Sequence, residues 1–330
     1  MHVDKLKKVE LHLHIEGAAP PEFIRMLAAE QNVDLSRIFD AEGHYKWADF
    51  AEFLRIYEAA CEVLRGPEEF RRLTEAVLAA QAAQNVIYTE HFLAPDLCGG
   101  GDPVAWRDYL AAILEGAANA KRDHGIEARF IATAVRHFGP EQAINSARLT
   151  AETASDMLTG FGMGGEERHL MPADFAPAFA IAEEAGLGLT CHAGEICGAD
   201  MVRATLDAMN VSRIGHGVRA IEDPDLVARI AEEGIVLEVN PGSNISLNVF
   251  DTWPEHPIQR LRDAGVKTTV STDDPPYFHV TLNSDYENLA RHFGWTEADF
   301  LEQNRVAIDA AFCDTETKSR IAAALKEPAP

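Results

Sequence analysis

His12 and His14, separated only by Leu13 near the start of a 330-residue chain, are spaced to share a metal ion. Side chains alternate along a strand, so both imidazoles leave one face while Leu11 and Leu13 pack on the other. Their Cα atoms then stand roughly 6.6 Å apart, close enough for nitrogen–metal bonds of about 2.0–2.1 Å to one ion. Three later stretches carry related chemistry: Cys191-His192-Ala193-Gly194-Glu195, Arg213-Ile214-Gly215-His216-Gly217 and Ser271-Thr272-Asp273-Asp274-Pro275. Taken singly, a histidine beside a strand end is more often hydrogen-bonded filler, and Asp-Asp-Pro more often opens a turn. The four gain meaning only if the fold collects them.

The elements between them supply that fold. Apolar runs at residues 9–14, 86–93, 128–135, 157–163, 187–191, 213–215, 235–239 and 267–271 read as eight strands, with helical patterns between them. Pro103, Pro140, Pro172 and Asp223-Pro224 mark helix starts. Such alternation implies parallel strands. Eight of them suggest a closed (β/α)8 TIM barrel, a single domain over residues 1–330. Extra helices follow strand 1, one presenting Phe50, Phe53, Leu54 and Tyr57, and the C-terminal part is also helical. An open doubly wound sheet is the alternative, but no Gly-x-Gly-x-x-Gly follows any strand. In a barrel the reactive side chains stand at the C-terminal strand ends. The four stretches end strands one, five, six and eight, on one rim.

Bulk properties narrow the partners. A net charge of −24 argues against a nucleic-acid backbone or an anionic membrane surface as partner. No apolar h-region lies within residues 1–8, and no stretch is long and apolar enough to span a bilayer. Five scattered cysteines without Cys-x-x-Cys form neither a disulfide framework nor a thiolate zinc site, which fits a reducing, cytoplasmic setting.

The residue types on the rim sort into roles. His12, His14, His192 and Asp273 make a nitrogen-and-oxygen ligand set that suits zinc, iron or nickel better than magnesium or calcium. Water on such an ion is acidified towards neutrality and becomes a nucleophile. Glu195, three residues beyond a ligand, is placed to exchange a proton with the substrate, and His216 to orient or deprotonate the water. Asp274 is left to grip a substrate donor. Glu16, two positions beyond His14, reaches the same rim.

In these motifs the sequence resembles the adenosine/adenine deaminase family of the amidohydrolase superfamily. The likeness runs from Glu10-Leu11-His12-Leu13-His14-Ile15-Glu16-Gly17, through His192-Ala193-Gly194-Glu195 and Ile214-Gly215-His216-Gly217, to Ser271-Thr272-Asp273-Asp274-Pro275. It implies one zinc ion held by His12, His14, His192 and Asp273. It also implies hydrolytic deamination, in which Glu195 protonates purine N1 and a zinc-activated hydroxide, helped by His216, attacks C6 and releases ammonia. Asp274 would bond purine N7 and the backbone N–H of Gly165 would meet N3. The helix carrying Phe50 and Tyr57 would be an apolar gate. The required Pro-Cys-x-x-Cys of the thiolate zinc deaminases that act on flipped bases is absent.

Two signals bear on the substrate, and they differ. His14-Ile15-Glu16-Gly17 resembles members acting on adenine. Gly164-Gly165-Glu166-Glu167 and Leu282-Asn283-Ser284-Asp285-Tyr286 resemble those acting on adenosine, and Val239-Asn240-Pro241-Gly242-Ser243-Asn244 departs from both. The expectation is deamination of adenosine and deoxyadenosine, with adenine or an N6-substituted adenine as the alternative. An inactive purine-binding or interaction protein is the reading of another class, against which the retention of Glu195 and His216 speaks.

Overall fold

Each apolar run folds as a strand in the computed structural model, which describes residues 2–326. The strands are β1 (Lys8–His14), β2 (Val86–Leu93), β3 (Glu127–Val135), β4 (Leu158–Gly164), β5 (Gly188–Ala193), β6 (Arg213–His216), β7 (Val236–Val239) and β8 (Lys267–Val270). They lie in sequence order, every ladder between neighbours parallel, in a nearly closed (β/α)8 barrel. The ring closes just past β8, where Leu13 pairs with Asp273. There Asp273 N–H donates to the His12 carbonyl at 3.2 Å and His14 N–H to the Asp273 carbonyl at 3.1 Å. Ser271 Oγ accepts from the N–H groups of Leu11 and His12, at 3.3 and 3.2 Å. The barrel therefore closes through three of the residues expected to bind metal.

Helix starts follow local chemistry. Asp102 and Asp223 accept backbone N–H bonds from the first turns that Pro103 and Pro224 begin, and Gly125 and Gly234 end those helices with left-handed backbone. Between β1 and β2 lie three helices, Pro21–Gln31, Phe50–Cys61 and Pro67–Ala82. Three more, Leu282–Phe293, Glu297–Ala310 and Thr315–Ala324, follow the barrel. From the last two, Ala307, Ile308 and Ile321 pack with Leu325 against Val9, Leu11 and Tyr88. This covers β1 on the side away from its histidines.

Inside the barrel a polar column replaces part of the expected apolar filling. Arg213 of β6 pairs with Glu90 of β2 at 2.7 Å and Glu238 of β7 at 2.6 Å, all three side chains fully buried. Its guanidinium lies 3.6 Å from the centre of the Phe312 ring. Glu90 also accepts from Tyr88 Oη at 2.8 Å and from Phe312 N–H at 2.5 Å. No helix of the described residues is long and apolar enough to cross a membrane.

Candidate active site

Ligand-capable atoms of His12 and His14 on β1, His192 on β5 and Asp273 beyond β8 lie within 4.8 Å of one another. Two hydrogen bonds orient the imidazoles. His12 Nδ1–H donates to Glu238 at 2.8 Å, and His192 Nδ1–H donates to the Met163 carbonyl at 2.8 Å. Each bond leaves Nε2 as a lone pair aimed into the site. There His192 Nε2 is 3.2 Å from His14 Nε2, and Asp273 Oδ1 is 3.3 Å from the Nε2 atoms of both His12 and His14. His12 Nε2 is buried without a hydrogen-bond partner. Lone pairs and a carboxylate oxygen turned upon one another repel unless a cation lies among them. The donor set and its outer partners fit a transition-metal ion.

The backbone that presents these groups is strained. His216 and Asp273 have φ of +59° and +68°, a left-handed conformation that costs a non-glycine residue on the order of 1–3 kcal/mol. Surrounding bonds hold Asp273: Ser243 Oγ donates to its Oδ2 at 2.7 Å, and the closing bonds to β1 fix its backbone. Gly215 lets β6 approach, since a Cβ there would stand 2.9 Å from His12 Cε1 and 3.2 Å from His192.

Glu195 is fixed by its neighbours. The buried Glu167 carboxylate accepts from the N–H groups of Gly194 at 2.5 Å, Ile196 at 2.7 Å and Cys197 at 2.8 Å, which pins the turn on both sides of Glu195. Burial, with Asp273 and Glu167 nearby, pushes the Glu195 carboxyl well above the usual carboxylate range. The shift favours the protonated form. Burial, with the carboxyl groups of Asp273 and Glu195 nearby, pushes Asp274 up likewise, and burial brings Glu16 to about 7. His216 Nε2 lies 3.7 Å from Glu195 and 3.8 Å from Asp273, a gap that admits a bridging water.

A cavity of about 140 Å³ opens onto these groups. His14, Glu16, Gly165, His192, Glu195, His216, Asp273 and Asp274 all line it, and His12 lies fully buried behind them. Phe50, Phe53, Leu54 and Tyr57 of the Phe50–Cys61 helix form one wall. Tyr57 Oη donates to Glu16 at 3.4 Å. Among the described residues, no lysine or arginine lines the cavity. The segment Leu282–Tyr286, whose likeness favours a nucleoside, does not reach it; Asp285 instead accepts from Gly242 N–H at 3.2 Å, and Tyr286 donates to Asn304 at 3.2 Å.

Sequence reasoning missed the supporting residues. Glu238 and Ser243 hold His12 and Asp273, and in the sequence Glu167 stands out only as part of a motif. A signal existed for Glu238, a carboxylate inside the apolar strand Val236–Val239. None existed for Ser243, which lies in the short helix Pro241–Ser246.

A parallel barrel whose C-terminal rim gathers histidines and a carboxylate for one ion is the architecture of the amidohydrolases. Residues 7–328 match the family model described as adenosine deaminase, and the chain belongs to that family. An adenine deaminase of Rhizobium leguminosarum bv. trifolii is 50% identical over 320 residues, 97% of this chain and 99% of that protein. An adenine deaminase of Agrobacterium fabrum is 46% identical over 322 residues, 97% and 98% of the two chains. Among solved structures, an adenine deaminase from Arthrobacter aurescens superposes with a TM-score of 0.89 at 28% identity, covering 97% of this chain and 98% of that one. An amidohydrolase from Burkholderia ambifaria with bound Zn gives 0.87 at 31% identity, over 98% and 90%. Family and relatives support a hydrolytic purine deaminase.

Proposed function

We propose that the substrate is the free base adenine, converted to hypoxanthine and ammonia. This replaces adenosine, the expectation raised by the Gly165 turn and by Leu282–Tyr286. The relatives reported above are named for adenine, and Leu282–Tyr286 has structural partners outside the cavity. One observation carries the reading. Glu16 Oε1 and Asp274 Oδ1 are buried carboxyl oxygens without partners on the cavity wall. Adenine brings an imidazole N–H that adenosine, substituted there, lacks. Glu16 would accept that N–H, while protonated Asp274 would donate to N7. The cavity's 140 Å³ falls below the roughly 300–1,000 Å³ of clefts for drug-sized ligands. Among the described residues no lysine or arginine lines the cavity to pair with a nucleotide phosphate.

His12, His14, His192 and Asp273 would hold zinc, whose chemistry here is to acidify water towards neutrality. Glu195, protonated by burial, delivers its proton to purine N1, and C6 becomes electrophilic. The Gly165 N–H serves N3. His216 holds the attacking water in the gap it shares with Glu195 and Asp273. The apolar wall of Phe50, Phe53 and Leu54 excludes bulk water, which strengthens each polar contact inside.

Ammonia release from adenine and adenosine, measured on the zinc-loaded protein, tests the substrate. The expected kcat/KM is at least about 100-fold higher for adenine, the scale of a hydrogen bond to a charged group together with steric exclusion. Equal or reversed preference would return the assignment to the nucleoside.

A further inference from the structure

His216 faces the reacting water with one ring nitrogen, and the mechanism turns on whether that nitrogen carries a proton. The other nitrogen decides. His216 Nδ1 lies 3.2 Å from Asn244 Nδ2, an amide group that can only donate. Asn244 Oδ1, at the other end of that amide, lies 3.2 Å from His256 Nε2. His256 Nδ1 in turn lies 3.3 Å from the backbone N–H of Ile258.

Every link forces the next. A backbone N–H cannot reverse, so His256 Nδ1 accepts and its proton sits on Nε2. That N–H donates to Asn244 Oδ1, which fixes the amide orientation and turns its NH2 towards His216. His216 Nδ1 must then accept, which leaves its ring neutral with the proton on Nε2. Ile258 opens the helix Ile258–Asp263, so its N–H has no partner within the helix. Pro257, just before it, has no N–H to compete. A second amide stands near the ring: Asn240 Nδ2 is 3.3 Å from Nδ1 and 3.4 Å from Nε2, and as a donor it too is met at Nδ1, the nearer nitrogen. All four residues are buried.

We infer that Asn244 and His256 are positioning residues that relay the Ile258 N–H to His216 and lock it as the Nε2–H tautomer. His216 then presents a donor, not a base, to the space between Glu195 and Asp273. It holds the oxygen of the attacking water and does not remove a proton from it. This rests on the deaminase reading above and narrows the part of His216 within it. It also gives a purpose to the Asn240-to-Asn244 stretch, which departs from the family pattern.

Long-range ¹⁵N–¹H correlation NMR of the zinc-loaded protein reports directly which ring nitrogen carries the proton. His216 and His256 are both expected as Nε2–H. A proton on Nδ1 of either ring, or on both nitrogens of His216, overturns the inference. The substitution pair His256→Leu and His256→Gln tests the consequence. Leucine removes the donor to Asn244, and kcat should fall about 10-fold or more with KM and zinc content unchanged. Glutamine places an N–H near the lost Nε2–H and should restore kcat to within about threefold of the parent. Equal kcat in both variants and the parent, or equal loss in both, denies the relay a catalytic role. The NMR reading needs no substrate, so it stands or falls apart from the assignment of adenine.

Discussion

At the scale of single residues, the proposed chemistry asks several groups to hold protonation states they would not choose in water, and burial shifts them that way. Glu195 is the clearest case. Its carboxyl is raised by burial and by the nearby carboxylates of Asp273, Glu167 and Glu166, which suits the acid role proposed for it. Glu195→Gln keeps shape and one acceptor but has no proton to give. It should retain zinc and melting temperature while kcat falls by roughly 10² or more. Metal analysis beside steady-state assay checks this, and a variant with near-normal kcat would remove Glu195 from the proton transfer. Burial also holds His216 low, at about 3, so its ring stays neutral at working pH.

At the scale of elements, strand ends deliver side chains but loops set their angles. The turn after β5 shows the division. β5 delivers His192, yet Glu195 lies outside the strand and depends on the three N–H bonds to Glu167. Glu167 comes from the loop after β4, so two loops lock each other across the rim. Glu167→Ala frees three donors at once, that of Gly194 buried and those of Ile196 and Cys197 partly so. We expect a stability loss of about 1–3 kcal/mol and a lower kcat with zinc content retained. Amide hydrogen exchange should accelerate at residues 194–197 and stay slow in the strands. Unchanged protection at 194–197 would show that the turn holds itself.

At the scale of the whole molecule, the metal cluster is tied to the far end of the chain. His12 bonds Glu238, Glu238 pairs with Arg213, Arg213 pairs with Glu90, and Glu90 accepts from Phe312 N–H. The column thus links the first strand to the segment between the last two helices. Arg213 balances two carboxylates, all three fully buried. Arg213→Met leaves those carboxylates without a countercharge, which should cost roughly 3–5 kcal/mol in urea unfolding. Zinc affinity should fall with it, because Glu238 orients His12. A loss below about 1 kcal/mol would mean that the column is dispensable for stability.

Much of this was legible in the sequence. Apolar runs separated by helical patterns are local signals, and all eight strands emerged from them within a few residues of their observed bounds. The His-x-His spacing and the strand ends at His192, His216 and Asp273 were legible too, because the C-terminal rim of a parallel barrel is a consequence of topology. What stayed hidden depends on distance through space. Glu238, Ser243, Asn244 and His256 act on residues far away in the chain, and a lone polar residue in sequence does not name its partner. The left-handed backbone at His216 and Asp273 was equally hidden, since no local rule asks a non-glycine residue to adopt it and only the closed barrel compels it. The proposed substrate turns on the same distinction. The likeness of Leu282–Tyr286 is real in sequence, but the fold sets that segment outside the cavity. Sequence determined the elements and the reactive groups, because those follow from periodicity and residue type. Tertiary structure decided partners, protonation and pocket, because those follow from which atoms the closed barrel brings together and removes from water.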